Sequence, residues 1–172
     1  MVELHGSYVR LRPVAARDAT RLREVLADPT VARWWGDPDE ELAGVLEPDE
    51  DTASFVIEYA DNVVGLIQYS EEPTPGYRHA GIDIAVHSDW HGRGVGTDAI
   101  HTLARYLLDV RGHHRLTIDP AADNASAIRV YKRLGFRPVG LLRQYERAPE
   151  GHWRDGLLLD LLATELRPVA RS

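Results

Sequence analysis

The stretch HAGIDIAVHSDWHGRGVGTDAIHTLARYLLDVRGHHRLTIDPAADNASAIRVYKRL, His79 to Leu134, decides the fold. It reads as a short strand, a glycine-rich loop, a helix, a second strand and a second helix. The first strand runs from Ala80 to Val86. Ala80, Ile82, Ile84 and Val86 alternate with Gly81, Asp83 and Ala85, so one face is bulky and apolar. The other face is bare apart from Asp83, which leaves room for a ligand beside the carboxylate.

The loop His91-Gly92-Arg93-Gly94-Val95-Gly96 follows. Glycines at alternate positions let the backbone approach a ligand and turn its N–H groups outward. A helix over 97–110 carries Ile100, Leu103, Leu107 and Leu108 on one face and adds the positive end of its dipole. The sum is an anion site suited to a phosphate or pyrophosphate, and the plainer alternative is a glycine turn. Thr97-Asp98 stands where a Walker A loop needs Lys-Ser/Thr. Gly94, Gly96 and Ala99 also fit the dinucleotide pattern G-x-G-x-x-A, with Asp119 placed for a ribose contact. Ser88-Asp89-Trp90 nevertheless separate this loop from the strand end, where a dinucleotide loop sits directly. Arg115 to Ile118 reads as the second strand, stopped by Asp119-Pro120. Asp123-Asn124 caps the helix to Leu134, and Gly135 ends it.

These motifs, in this order, resemble the GNAT N-acetyltransferase superfamily. The loop is similar to its acetyl-CoA pyrophosphate loop, Gln/Arg-x-x-Gly-x-Gly/Ala, with His91 departing from the pattern at the first position and Gly94 and Gly96 matching it. Asn124-x-x-Ala127-x-x-x-Tyr131-x-x-x-Gly135-Phe136 is similar to the second half of the family's core. The resemblance covers most of the chain, from Leu11-Arg12-Pro13 to the last strand. Trp34-Trp35-Gly36, Gly81-Ile82-Asp83 and Ile118-Asp119-Pro120 leading into Asn124 look most like the aminoglycoside 6′-N-acetyltransferases and their siderophore-lysine acyltransferase relatives.

The resemblance implies an α/β (α+β) sandwich with a mixed, mostly antiparallel sheet of about six or seven strands flanked by about four helices. It implies acetyl-CoA as cosubstrate, held by Ile84, Val86, His91, Gly92, Arg93, Gly94, Val95, Gly96, Thr97, Asn124, Ala127 and Tyr131. Tyr131 would protonate the departing thiolate, and Trp34, Trp35, Asp83, Asp119 and Asp155 would face the acceptor.

The remaining composition narrows the function classes. A chain of 172 residues suits one domain, 1–172, with a full core. No secretory apolar region opens it and no apolar run is long enough to span a bilayer, which predicts a cytoplasmic protein. The absence of cysteine excludes disulfides, thiolate metal sites and an acyl-cysteine intermediate. A net charge of −7 argues against nucleic acid and anionic membranes as partners.

Outward from the central stretch, Tyr8 to Arg12 reads as a strand closed by Pro13. A helix from about residue 16 to 27 buries Ala19, Leu22, Val25 and Leu26, and Asp28-Pro29 ends it. Adjacent Trp34 and Trp35 are either both core or, since neighbours point in different directions, one of the pair faces a cleft, where it could stack on a sugar or wall a cation pocket. Residues 37–51 hold eight acids and no base; the alternatives are a solvated face and a border of the acceptor cleft. Ser54 to Tyr59 and Val63 to Tyr69 form a hairpin about Ala60-Asp61-Asn62. Glu71 to Gly76 reads as a loop, and Arg137 to Leu142 and Gly156 to Ala163 as the last strands.

Each candidate has a plain alternative. Asp83 could pair with Arg78, Tyr131 could be a core residue, and Asp119 and Asp155 could be turn formers. His87 and His91 lack a convergent ligand set, so no metal is expected. Tyr131 and Asp83 together favour an enzyme: an acetyl-CoA-dependent N-acetyltransferase acting on a small polycationic amine, with an aminoglycoside 6′-amine, and hence antibiotic resistance, as the leading case. A polyamine or a hydroxylated lysine is a variant. The alternatives are a protein N-terminal acetyltransferase, since Gly151-His152-Trp153-Arg154-Asp155 resembles the ends of ribosomal-protein acetylases, a non-catalytic acyl-CoA sensor, and a nucleotide-binding module. A monomer or homodimer is expected.

Overall fold

In the computed structural model, which describes residues 2–169, eight strands pair into one sheet. They are β1 (Leu4–His5), β2 (Arg10–Pro13), β3 (Thr52–Tyr59), β4 (Asn62–Glu72), β5 (His79–Val86), β6 (Arg115–Ile118), β7 (Arg137–Arg147) and β8 (Trp153–Leu162). Their order is β1-β2-β3-β4-β5-β6-β8-β7, and β5–β6 is the parallel pair in an otherwise antiparallel sheet. The two-residue β1 takes the count above the expected range. Residues 1 and 170–172 of the expected domain lie outside the described residues.

Five α-helices flank the sheet: α1 (Ala19–Ala27), α2 (Pro29–Trp35), α3 (Pro38–Leu46), α4 (Val95–Arg105) and α5 (Ala125–Leu134). Asp28-Pro29 both ends α1 and starts α2, because Asp28 accepts the Thr30 N–H at 3.0 Å and Pro29 suits the first helical turn. Asp37-Pro38 repeats the device, with Asp37 accepting from the N–H groups of Asp39 and Glu40. Much of the acidic run is therefore a cap and first turn, where negative charge complements the helix dipole.

The β3–β4 hairpin turns through Ala60 and Asp61, both left-handed at φ 48° and 62°, as a two-residue turn of this twist requires. Several boundaries differ from expectation. β4 continues to Glu72, because Glu71 and Glu72 pair with Ala80 and His79 of β5, and Arg111 and His113 hold the Glu71 side chain. The helix expected over 97–110 begins at Val95 and passes into a π-helical segment, Tyr106–Val110. β7 and β8 extend to Arg147 and back to Trp153; the polar run Arg143-Gln144-Tyr145-Glu146-Arg147 lies on an edge strand and carries no alternation.

The sheet has a core on each face. Leu11, Ile67, Ile82, Ile100, Leu103 and Phe136 pack with α4 and α5 on one side; Leu22, Val25, Leu26, Leu66 and Ala85 pack under α1–α3 on the other. β5 feeds both: Ala80 and Ile82 enter the first core, and Ala85, on the face expected to be bare, enters the second. The feature that matters for function is the β5–β6 seam. These strands pair only at Ala80–Leu116 and Gly81–Thr117. β6 then ends ahead of Asp119-Pro120, whose proline lacks the N–H a ladder needs, while β5 continues to Val86. The sheet splits there.

Candidate active site

The split opens a cleft of about 560 Å³ lined by Trp34, Trp35, Glu41, Gln68, Ile82, Asp83, Ile84, Ile118, Asp119, Asn124, Tyr131, Tyr145 and Glu146, among others. Asp83 projects from mid-β5 into it. Arg78, its possible partner, instead donates to the carbonyls of Arg111 and Gly112, and no arginine or lysine pairs with Asp83 among the described residues. The carboxylate keeps accessible surface toward the cleft, yet the protein packed around it removes most of its hydration. That burial, followed by the charge of Asp119, pushes its pKa up to about 6.

Tyr131 projects from α5 to the same cleft and is largely buried. Its hydroxyl has no hydrogen-bond partner among the described residues. Burial, and then the charges of Asp83 and Asp119, hold its pKa well above the ordinary phenol value, so it keeps its proton. Asn124 lines the cleft and caps α5 through the Ala127 N–H. Asp119 accepts a short hydrogen bond from the Tyr145 hydroxyl. This bond is the first cause of the upward shift of the Tyr145 phenol to about 12.

Both tryptophans reach the cleft. Trp35 Nε1–H donates to the Ile84 carbonyl at 3.2 Å, on the β5 edge that the split leaves without a partner strand. The guanidinium groups of Arg33 and Arg154 stand over the Trp34 ring, 4.4 and 5.3 Å from its centroid. Arg154 also donates to the Arg33 and Trp34 carbonyls at the end of α2 and to Glu146, so it ties α2 to the β7–β8 hairpin.

At the far end of β5, Gly92 and Gly94 adopt φ 74° and 76°, and Gly94 precedes α4 without any side-chain cap. The first N–H groups of α4 therefore have neither an intrahelical nor a side-chain partner. Asp98, in the first turn, points inward and accepts the N–H groups of Ser7, Tyr8 and Val9 at 3.0, 2.7 and 3.0 Å.

The model described as the acetyltransferase (GNAT) family matches residues 19–136. The chain belongs to the GNAT acetyltransferase family. It is thus an acyltransferase of the N-acetyltransferase kind. It is 26% identical over 156 residues to a spermidine N(1)-acetyltransferase of Escherichia coli strain K12, covering 87% of this chain and 83% of that one. It is 28% identical over 153 residues to an aminoglycoside N(6′)-acetyltransferase type 1 of Klebsiella pneumoniae, covering 77% and 75%. A solved structure of Mycobacterium smegmatis RimJ in complex with CoA-disulfide superposes with a TM-score of 0.83 at 28% identity, covering 97% of this chain and 88% of that one.

Against this family membership, the split sheet gathers Asp83, Asp119, Tyr131, Asn124, Trp34, Trp35 and Ile84 around one cleft. Two expected residues are engaged otherwise. Asp155 does not line the cleft; its Oδ1 accepts the Gln144 N–H at 2.7 Å. His91, expected to face the cosubstrate, turns its ring back so that Nε2–H donates to the Val86 carbonyl at 2.7 Å. In the loop, Val95 is a core side chain and offers only its N–H, and Arg93 stacks over Trp90 at 5.0 Å. The dinucleotide alternative loses its ribose contact, because Asp119 is held in the cleft by Tyr145. The sequence did not point to Tyr145, Glu146 or Gln68, and it pointed to Glu41 only as one of the eight acids that could border the acceptor cleft. For Gln68 a signal existed: its place opposite Asp83 in the β4–β5 register follows from the hairpin.

Among the described residues no helix is long and apolar enough to cross a membrane.

Proposed function

We propose that the chain transfers an acetyl group from acetyl-CoA directly to a primary amine of a small polycation, with an aminoglycoside 6′-amine and a polyamine amine as the leading acceptors. The observation that carries this reading is the composition of the cleft: four carboxylates and two tryptophans line it, and no lysine or arginine does. Acetyl-CoA supplies the activated acetyl group as a thioester. The glycine turn and the uncapped start of α4 suit its pyrophosphate, since they present free N–H groups at a positive dipole end. The unpaired edge of β5 offers the main-chain N–H groups of Ile84 and Val86 to the carbonyls of an extended amide-bearing chain, while Trp35 and His91 hold the two carbonyls of that edge. Gly92, Gly96, Thr97 and Ala127 belong to the same path.

Asp83 receives the acceptor ammonium, orients it and accepts its proton, for which a pKa of about 6 suits it better than an ordinary carboxylate. The freed amine lone pair forms the new C–N bond at the thioester carbon as the C–S bond breaks. Tyr131 gives its proton to the departing sulfur and regains one through water from the new amide nitrogen, which sheds the second proton of the former ammonium; the proton on Asp83 passes to solvent, so each turnover releases one proton. Trp34 and Trp35 wall the cation, and Asp119, Glu41 and Glu146 supply further negative charge.

A free-thiol release assay with acetyl-CoA tests this across aminoglycosides, polyamines and N-terminal peptides. Thiol release with an aminoglycoside or a polyamine and only background release with peptides is expected. Turnover confined to peptides would transfer the chain to the protein N-terminal acetyltransferases that its Gly151–Asp155 stretch resembles. Binding of CoA with no turnover on any amine would make it a sensor.

A further inference from the structure

β7 and β8 do not pair smoothly beside the cleft. Leu142 faces Gly156 and Glu146 faces Arg154, so Arg143, Gln144 and Tyr145 bulge opposite Asp155 alone. Gln144 takes φ 46° in this bulge, a left-handed conformation that a non-glycine residue holds only when its surroundings fix it. The Asp155 carboxylate provides the fixing contact, through the 2.7 Å bond from the Gln144 N–H.

Gly156 adds the second element. A Cβ there would stand 2.8 Å from Tyr145 Cδ1, so the tyrosine ring lies directly on bare backbone. The same segment holds the opposite wall: the Asp155 carbonyl accepts the Ala122 N–H at 2.9 Å, and the Leu157 N–H donates to the Pro120 carbonyl at 2.9 Å. Residues 155–157 thus fix the loop after Asp119 by backbone and the Tyr145 bulge by one side chain and the absence of another. The two walls meet in the Tyr145–Asp119 hydrogen bond inside the cleft.

We propose that Asp155 and Gly156 form a bracket that positions Tyr145 on Asp119 and thereby sets which acceptor amine the cleft takes. This rests on the acetyl-transfer reading of the cleft. Tyr145 holds the Asp119 carboxylate in one orientation toward the cleft, so a cation that pairs with Asp119 must fit beside the phenol that orients it. Asp155 itself is a positioning residue, outside the cleft.

Four substitutions and two readouts test the bracket. Tyr145→Phe should raise the acceptor KM about tenfold and leave the acetyl-CoA KM unchanged. Asp155→Ala should do the same, and the double variant should be no worse than Tyr145→Phe alone, because Asp155 acts through Tyr145. Asp155→Asn should retain wild-type behaviour, since its amide oxygen still accepts the Gln144 N–H. Loss in Asp155→Asn equal to that in Asp155→Ala, or additive losses in the double variant, would overturn the proposal and make the Asp155 charge act on the amine itself. The second readout needs no acceptor. In protein labelled at tyrosine Cζ, the NMR signal missing from Tyr145→Phe should shift in Asp155→Ala and Gly156→Ala and stay in place in Asp155→Asn. An unmoved signal in both shifted variants would overturn the bracket. The expected shifts in an enzyme that acetylates no polycation would support the bracket and overturn the acceptor reading instead.

Discussion

Asp83 carries its charge where the fold disfavours it. Its folded pKa of about 6 stands above the ordinary 3.8, so folding favours the protonated form. Stability from this group is full below the unfolded value and is lost as pH rises through about 6. Asp83→Asn removes the charge and keeps the shape. Thermal melts should show variant and wild type alike near pH 3.5, a gap opening between about pH 4 and 6, and a more stable variant above that window. Over the same range the variant should lose turnover by roughly 10²-fold or more while still binding acetyl-CoA. Partial recovery of rate at high pH would mark Asp83 as mainly a base; weakened amine binding without recovery would mark it as mainly an anchor. Normal turnover and normal amine affinity would remove it from the chemistry. Tyr131→Phe is the matching test across the cleft. It deletes one unpartnered hydroxyl and leaves the edge-on packing on Phe136, at a centroid distance of 6.3 Å, intact. Turnover should fall by roughly 10²-fold with little change in the acetyl-CoA KM, and a wild-type rate would return Tyr131 to the core.

At the scale of the element, α4 serves two ends of the molecule. Gly94 is left-handed, so any replacement there strains the backbone as well as crowding a ligand. Gly96 is helical, and a Cβ on it would meet Ile84 Cδ1 and Val86 Cγ2 at an ordinary 3.9 Å. Gly96→Ala should therefore keep acetyl-CoA affinity, whereas Gly96→Phe should lose it by calorimetry with circular dichroism unchanged. Equal affinity in both would move the pyrophosphate away from this loop. On its inner side α4 uses Asp98 to gather three consecutive N–H groups from residues 7–9, which no sheet partner satisfies there. Asp98→Ala strands these donors, each costing about 1–3 kcal/mol when buried, so a loss of about 3 kcal/mol or more is expected in chemical denaturation. A loss under about 1 kcal/mol would mean that water replaces the carboxylate. That a helix follows the glycine loop was legible from the glycines and the apolar spacing because those signals are local, although its first turn begins at Val95, two residues earlier than expected. The role of Asp98 was not, since its partners lie about ninety residues away in sequence.

Across the whole molecule, the same division between local and distant signals separates what could be read from what could not. Alternation in β5, the cap at Asn124 and the stop at Asp119-Pro120 place the central α/β stretch without any tertiary information. The far wall of the cleft is different: Tyr145 and Glu146 sit on a polar edge strand, and only the Gln144 bulge, Gly156 and Arg154 bring them in. The acidic run shows the same limit. Its composition was plain, but of its eight acids only Glu41 lines the cleft; Asp37 is a cap and Asp39 pairs with Arg23 at 2.7 Å. Burial first, then Glu40 and Asp37, raise the Glu41 pKa, as befits a carboxylate crowded by like charge with no cation beside it. Glu146 is paired with Arg154, while Asp83, Asp119 and Glu41 have no arginine or lysine partner among the described residues. On the proposed reading of the cleft, the attraction for a polycation resides there more than on the acidic surface. Salt screens exposed charges over about 8 Å at physiological ionic strength, so kcat/KM for the amine should fall steeply along a sodium chloride series. Acetyl-CoA, itself an anion, should not show that fall. Glu41→Gln removes one cleft charge and should flatten the amine's salt dependence while leaving the acetyl-CoA KM as it was. Glu50→Gln removes an exposed charge of the same run and should leave the slope unchanged, because nothing of Glu50 reaches the cleft. A slope flattened by Glu50→Gln and untouched by Glu41→Gln would shift the attraction from the cleft to the surface and undo the assignment of the cleft as the cation's site.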